Sequence, residues 1–196
     1  MAVTLHITGE PESDLVLSEH PFALLAGMLL DQQFPMERAF AGPWKVLDRF
    51  GSVDPRDIAA ADPVRFEELC TTAPAIHRYG RAMAARLQAL AQIVVDEYDG
   101  HAERIWTEAT SGADLVARIE ALPGFGAQKA KIFAALVGKQ LGVKPRGWST
   151  AVGDYGKPGY RSVADVVDAE SLHKVRAHKK QMKAAAKKAA SEKADA

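Results

Sequence analysis

Apolar positions recur at helical spacing along most of the chain, interrupted by Gly, Pro and Asp. "PFALLAGMLLDQQ" (Pro21–Gln33) places Pro at a helix-start position and carries a dense apolar face, which predicts a buried helix. "MERAFAGPWKVLDRFG" predicts helix broken or bent at Gly42-Pro43 and closed by Gly51. "DPRDIAAAD" and "DPVRFEELC" each read as a short helix opened by an Asp-Pro pair, the Asp capping and the Pro presetting the first turn. In "RYGRAMAARLQALAQIVVDEYDG", Met83, Leu87, Leu90, Ile93 and Val94 follow a helical period that Gly100 stops. "GADLVARIEAL" predicts an amphipathic helix. Beyond "PGFG", "AQKAKIFAALVGKQL" predicts another, with Ala130, Phe133, Ala134 and Val137 on one face.

Outside these helices the pattern changes. "GVKPRGWSTAVGDYGKPGY" is rich in Gly and Pro and reads as a long ordered loop. Ser162 reads as an N-cap for a helix-prone segment. That segment ends without an apolar stripe, so its end is expected to be a frayed or disordered basic tail. The one strand signal is "VTLHI", Val3–Ile7. The expected fold class is all-α.

Composition narrows the chemistry. No apolar run reaches the ~18 residues of a membrane span, and Glu10, Glu12 and Asp14 stand where a signal peptide would be basic and then apolar. A cytoplasmic protein, bound to no membrane, is expected. The single cysteine, Cys70, excludes an internal disulfide, a cysteine-ligated zinc site and a four-thiolate iron–sulfur cluster. At the end of the amphipathic "VRFEELC" it reads as a buried structural thiol. The six histidines show no paired metal-ligand spacing, so no metal site is expected.

A net charge of +0 conceals an asymmetry. From Met1 to Glu120 there are 19 acidic residues against 10 basic ones. From Ala121 to Arg161 the only acid is Asp154, against seven Lys and Arg, and eight more basic residues follow from Lys174 onward. An acidic body with a basic flank fits a polyanionic partner at that flank.

The basic stretch starts at Leu122-Pro123-Gly124-Phe125-Gly126. Two glycines permit a tight backbone path, and Phe125 between them can plug into the core. The amides of Gly124, Gly126 and Ala127 would then project at the start of the next helix, where its dipole favours an anion, with Lys129 and Lys131 beside them. Such a site suits one backbone phosphate and reads no bases.

"LPGFGAQKA" resembles the helix–hairpin–helix signature of the base-excision-repair DNA glycosylases, the endonuclease-III-like superfamily. "PFALLAGMLLDQQ" is similar to that family's early helix, whose final Gln fills the gap left by an extruded nucleotide; Gln33 takes that place. "IHRYGRAMAARLQALAQIVVDEYDG" resembles the turn and long helix that follow, with Arg81-Ala82 for the family's basic-Ala pair and Ile76 for its usual glycine. The resemblance covers residues 21–142. It implies duplex DNA as partner, contacts from Gly124, Gly126, Ala127, Gln128, Lys129, Lys131 and Gln33, and a monovalent cation at the hairpin as the one cofactor. It also implies a two-lobed arrangement: a helical domain over 21–142, a second lobe from 1–20 and 143–175, and the basic tail over 176–196. A monomer is expected.

Two departures bear on the chemistry. Strand-cleaving relatives carry Lys where this chain has Gln128, and an amide forms no Schiff base. The family's catalytic Asp falls where this chain reads "KPRGW". Asp154 and Asp31 are the two carboxylates that can substitute, and Trp148 and Tyr155 are candidates for stacking a flipped base. The resulting reading is a monofunctional N-glycosylase using water. The alternatives are a non-catalytic damage-recognition protein of the same fold and an all-α adaptor whose basic tail binds acidic proteins or RNA.

Overall fold

The computed structural model describes residues 4–194, with side chains described as far as residue 185. Among the described residues there are helices and no strand. The chain runs α1 (Pro11–Glu19), α2 (Pro21–Leu30), α3 (Met36–Phe40), α4 (Gly42–Phe50), α5 (Pro55–Ala60), α6 (Pro63–Thr71) and α7 (Gly80–Tyr98). It continues with α8 (Arg104–Thr107), α9 (Gly112–Glu120), α10 (Ala127–Gln140), α11 (Trp148–Val152), 3-10 turns at Gly153–Gly156 and Val163–Asp165, and α12 (Ala169–Ala194). No helix among the described residues is long and apolar enough to cross a membrane.

Two helices organise the packing. Phe22 to Leu30 of α2 are all buried, and α2 packs against α1, α3, α4 and α7. A helix apolar all round is stable only when covered all round, and these neighbours cover it. In the second half α10 buries Ala130 and every residue from Phe133 to Gly138, and packs against α9, α11 and both 3-10 turns. The Asp-Pro starts fold as expected: Asp54 accepts from the Arg56 amide at 2.8 Å and Asp62 from the Arg65 amide at 2.9 Å. Gly51 closes α4 in the left-handed region.

Three expectations are corrected. Residues 4–7 of the expected strand form no strand, and Val3 lies outside the described residues. Side chains of α1 take up the backbone amides instead: Ser18 Oγ accepts from Leu5 and Asp14 Oδ1 from Ile7 and Thr8. The Gly/Pro-rich loop contains α11 and a 3-10 turn. It is anchored by Trp148, whose indole N–H donates to the Ala134 carbonyl at 2.9 Å. The segment from residue 176 is helical through Ala194, while residues 195 and 196 and the side chains from 186 lie outside the described residues. Ala and Lys favour helix without needing an apolar stripe.

Gly138 is where α10 receives the Trp148 ring, since a Cβ there would meet indole atoms at 2.3 Å. Gly138→Ala is expected to lower stability by about 1–3 kcal/mol through overpacking, against a helix-propensity gain of about 1 kcal/mol. Urea unfolding with an unchanged m-value reads the net loss.

Candidate nucleic-acid interface

The hairpin between α9 and α10 is built around Gly124 and Phe125. Phe125 is buried, edge-on to Phe133 at 6.1 Å between ring centroids, and its amide donates to the Leu122 carbonyl. Gly124 has φ +81, a conformation that disfavours any side chain, and a Cβ there would come within 2.4 Å of Leu29 Cδ1. Gly126 is extended, with open space where its Cβ would stand, and forms the N-cap of α10 without a side-chain cap. Among the described residues the amides of Gly124, Gly126, Ala127, Gln128 and Lys129 find no acceptor; Ala130 is the first to bond back, to Gly126. These are unpaired N–H groups at the positive end of a 14-residue helix, as an oxyanion site requires.

Lys129 turns away from solvent. Its Nζ donates to the Leu29 carbonyl in the last turn of α2 at 3.0 Å, so α10 begins where α2 ends. Burial pulls its ammonium down to about 8, partly opposed by the nearby Asp31 carboxylate. Lys131 is exposed. Gln128 is exposed and donates through Nε2 to the Tyr155 hydroxyl at 2.8 Å.

The turn after α2 faces the same place. Asp31 C-caps α2, and its side chain is only 15% exposed, 3.4 Å from Lys179 Nζ. Gln33 is exposed and left-handed, with φ +52, a conformation that costs a non-glycine residue energy and persists only where its surroundings enforce it. Arg78 donates to Gln33 Oε1 and Arg86 to Gln32 Oε1, both at 2.8 Å. His77 completes the clamp. The Tyr79 amide donates to its Nδ1, which leaves Nε2–H to donate to the Gln32 carbonyl at 3.0 Å. With the ring buried against Phe34 at 4.5 Å, burial holds its pKa below the ordinary 6.5, and the cations Arg78, Lys129 and Arg86 add to the effect.

The neutral His77 therefore contributes stability that is full above pH 6.5 and falls on acidification, because the unfolded chain takes up the proton first. As the pH falls below about 6.5, stability is expected to drop by up to ~1.4 kcal/mol per pH unit, read by urea midpoints, and a His77→Gln variant loses this component. The depressed carboxylates Glu37, Asp114, Asp154 and Asp168 act in a lower window. Their stabilisation is lost only as the pH falls below the ordinary carboxylate range of 3.8 to 4.5.

The other candidates lie elsewhere. Asp154 is 73% exposed and paired with Lys157 at 2.5 Å on the outer 3-10 turn, where a carboxylate is bathed in water. Trp148 is 8% exposed with its face against Gly138, so no base can stack on it; that expectation is corrected by its role as a core anchor. Tyr155 is half-buried beside Gln128. Aromatic surface near the turn comes instead from Phe34 and Trp44, which with the buried His77 and with Lys45 and Arg78 line a cavity of about 560 Å³. Cys70 is fully buried and its thiol is pushed up to about 12, so it is no nucleophile.

Sequence reasoning missed His77, Arg78 and Arg86, and placed Arg176 and Lys179 only in the general basic flank. For Arg176 and Lys179 a signal existed, since they continue the spacing of the buried Leu172 and Val175 by helical steps. For the others only the tertiary fold brings the residues to the turn.

Among known families, a model described as HhH-GPD superfamily base excision DNA repair protein matches residues 26–195. No curated protein and no solved structure matches the chain.

Proposed function

Because the chain belongs to the HhH-GPD superfamily of base excision DNA repair proteins, we propose that it is a monofunctional DNA N-glycosylase with Asp31 as its acting carboxylate. The observation that carries this reading is the meeting of Asp31, the strained Gln33 and the free amides of the α10 N-terminus around the end of α2, joined through Lys129 and Leu29. In the proposed reaction the amides of Gly124, Gly126 and Ala127 hold one backbone phosphate and Gln33 fills the space of the extruded nucleotide. Asp31 faces the sugar as the N-glycosidic bond breaks. The base departs with the bonding electron pair and is protonated, and positive charge develops on the sugar. The carboxylate stabilises that charge and accepts a proton from the water that adds to C1′. The products are a free base and an abasic site. A covalent imine through the hairpin helix is not part of the proposal, since Gln128 carries an amide there.

A monovalent cation at the hairpin belongs to the same proposal. Among the described residues the carbonyls of Pro123, Gly124 and Phe125 accept no hydrogen bond, so these are the groups that would hold it, and the ion would supply positive charge to a phosphate.

One observation favours the second reading, a non-catalytic damage-recognition protein: Asp31 is ion-paired with Lys179 and lies beside a second lysine, which weakens its pull on a positive sugar. Incubation with duplexes carrying uracil, oxidised and alkylated bases, followed by alkaline cleavage, decides between them. Release of one class of base supports the glycosylase. No release across the panel, with binding to an abasic-site duplex retained, leaves the recognition protein.

A further inference from the structure

We propose that α12 is a second DNA-contacting element whose Arg176 and Lys179 exchange the carboxylates of Glu37 and Asp31 for backbone phosphates when duplex DNA binds, uncovering Asp31. The proposal rests on the DNA reading above. It starts from one face of α12. Leu172 and Val175 are buried and seat the helix on the core. The next helical steps along that face are Arg176, bonded to Glu37 at the start of α3, and Lys179, at 3.4 Å from Asp31 at the end of α2. The stripe thus changes from apolar to basic where it crosses the turn that presents Gln33.

The start of α12 has anchors of its own. It is fixed by Asp168 and Ser171, whose side chains cap each other's amides, and by the two apolar anchors. Both ion pairs are open on their basic side, with Arg176 43% and Lys179 41% exposed, so solvent and salt weaken them. Lys180 and Lys183 continue the charge and make no ion pair among the described residues. Duplex DNA offers about one negative charge per 1.7 Å of its axis, a denser field than two isolated carboxylates. Exchange therefore favours the duplex. The carboxylates differ in what they gain: Glu37 is released, while Asp31, 15% exposed under Lys179, becomes accessible beside the hairpin amides. The free protein would then hold its reactive carboxylate neutralised until the substrate arrives.

The test measures affinity for an abasic-site duplex in the full chain across a range of salt concentrations. Loss of two phosphate contacts in Arg176→Ala/Lys179→Ala is expected to reduce the slope of log K against log salt by about 1.8. Glu37→Gln, which removes one competing carboxylate, is expected to tighten binding by up to about fivefold. An unchanged slope in a double variant with wild-type circular dichroism overturns the proposal and makes α12 a structural strap. If the double variant does not fold, weaker or unchanged binding by Glu37→Gln overturns it. A wild-type chain without salt-dependent duplex binding overturns the DNA reading beneath it as well.

Discussion

Asp31→Asn is expected to slow base release from the cognate duplex by about 100-fold or more, while Asp154→Asn stays within about twofold of wild type. The difference follows from where the two carboxylates sit. Asp154 projects from an outer turn, 73% exposed and already neutralised by Lys157, and water screens whatever field it has left. Asp31 is largely withdrawn from solvent, and its carboxylate is felt at Lys129 on the hairpin helix. A charge in such a site acts on a developing cation through a lower effective dielectric. Asn keeps the size of the side chain and removes the charge, so single-turnover rates report the electrostatic contribution. Thermal unfolding checks that α2 keeps its C-cap. Equal activity of Asp31→Asn and wild type would move the chemistry to another group, and a large loss in Asp154→Asn would name it.

The hairpin was legible in the sequence because its turn is made locally, although Leu29 of α2 also presses on Gly124. Gly124, Phe125 and Gly126 act through backbone conformation and one buried ring, and the helices around them carry their periods openly. The same holds for α5 and α6, whose Asp-Pro starts need no tertiary contact. What was not legible depends on distance along the chain. His77, Arg78 and Arg86 clamp Gln32 and Gln33 across more than 40 residues, and nothing in the stretch around Arg78 marks it as a partner of the turn. Trp148 misled for a related reason. An indole in a Gly/Pro-rich stretch looks presented to a ligand, but the missing Cβ of Gly138, on another helix, makes room for it inside. For α12 the absence of an apolar stripe suggested disorder. The side chains that take its place, Arg176 and Lys179, find partners on α2 and α3 that sequence spacing alone does not reveal.

Gly126→Asp is expected to change stability and DNA binding in opposite directions. Gly126 caps α10 without a side chain, has an extended backbone, and has open space where its Cβ would be. An Asp there meets no clash, and its carboxylate can accept from the unpaired amides of Gln128 or Lys129 while its charge faces the positive end of the helix dipole. Because Gly is itself a fair N-cap, the gain over it is a few tenths of a kcal/mol, rising to about 1 kcal/mol with the charge–dipole attraction, and is read as a higher urea midpoint at constant m-value. The same carboxylate occupies the donors proposed for a DNA phosphate and places a negative charge against it. Like charges brought together in this way cost a few kcal/mol, so affinity for an abasic-site duplex should fall by about 30-fold or more. Gly126→Ala supplies the comparison, because it adds a Cβ without charge or acceptor and should leave binding within a few-fold of wild type. A more stable protein that binds DNA less well is an outcome general damage to the fold does not produce, since misfolding lowers both quantities together. If Gly126→Asp gains stability and keeps wild-type affinity, the amides at the start of α10 are not where the phosphate sits, and the basic residues around the α2 turn would have to carry the binding.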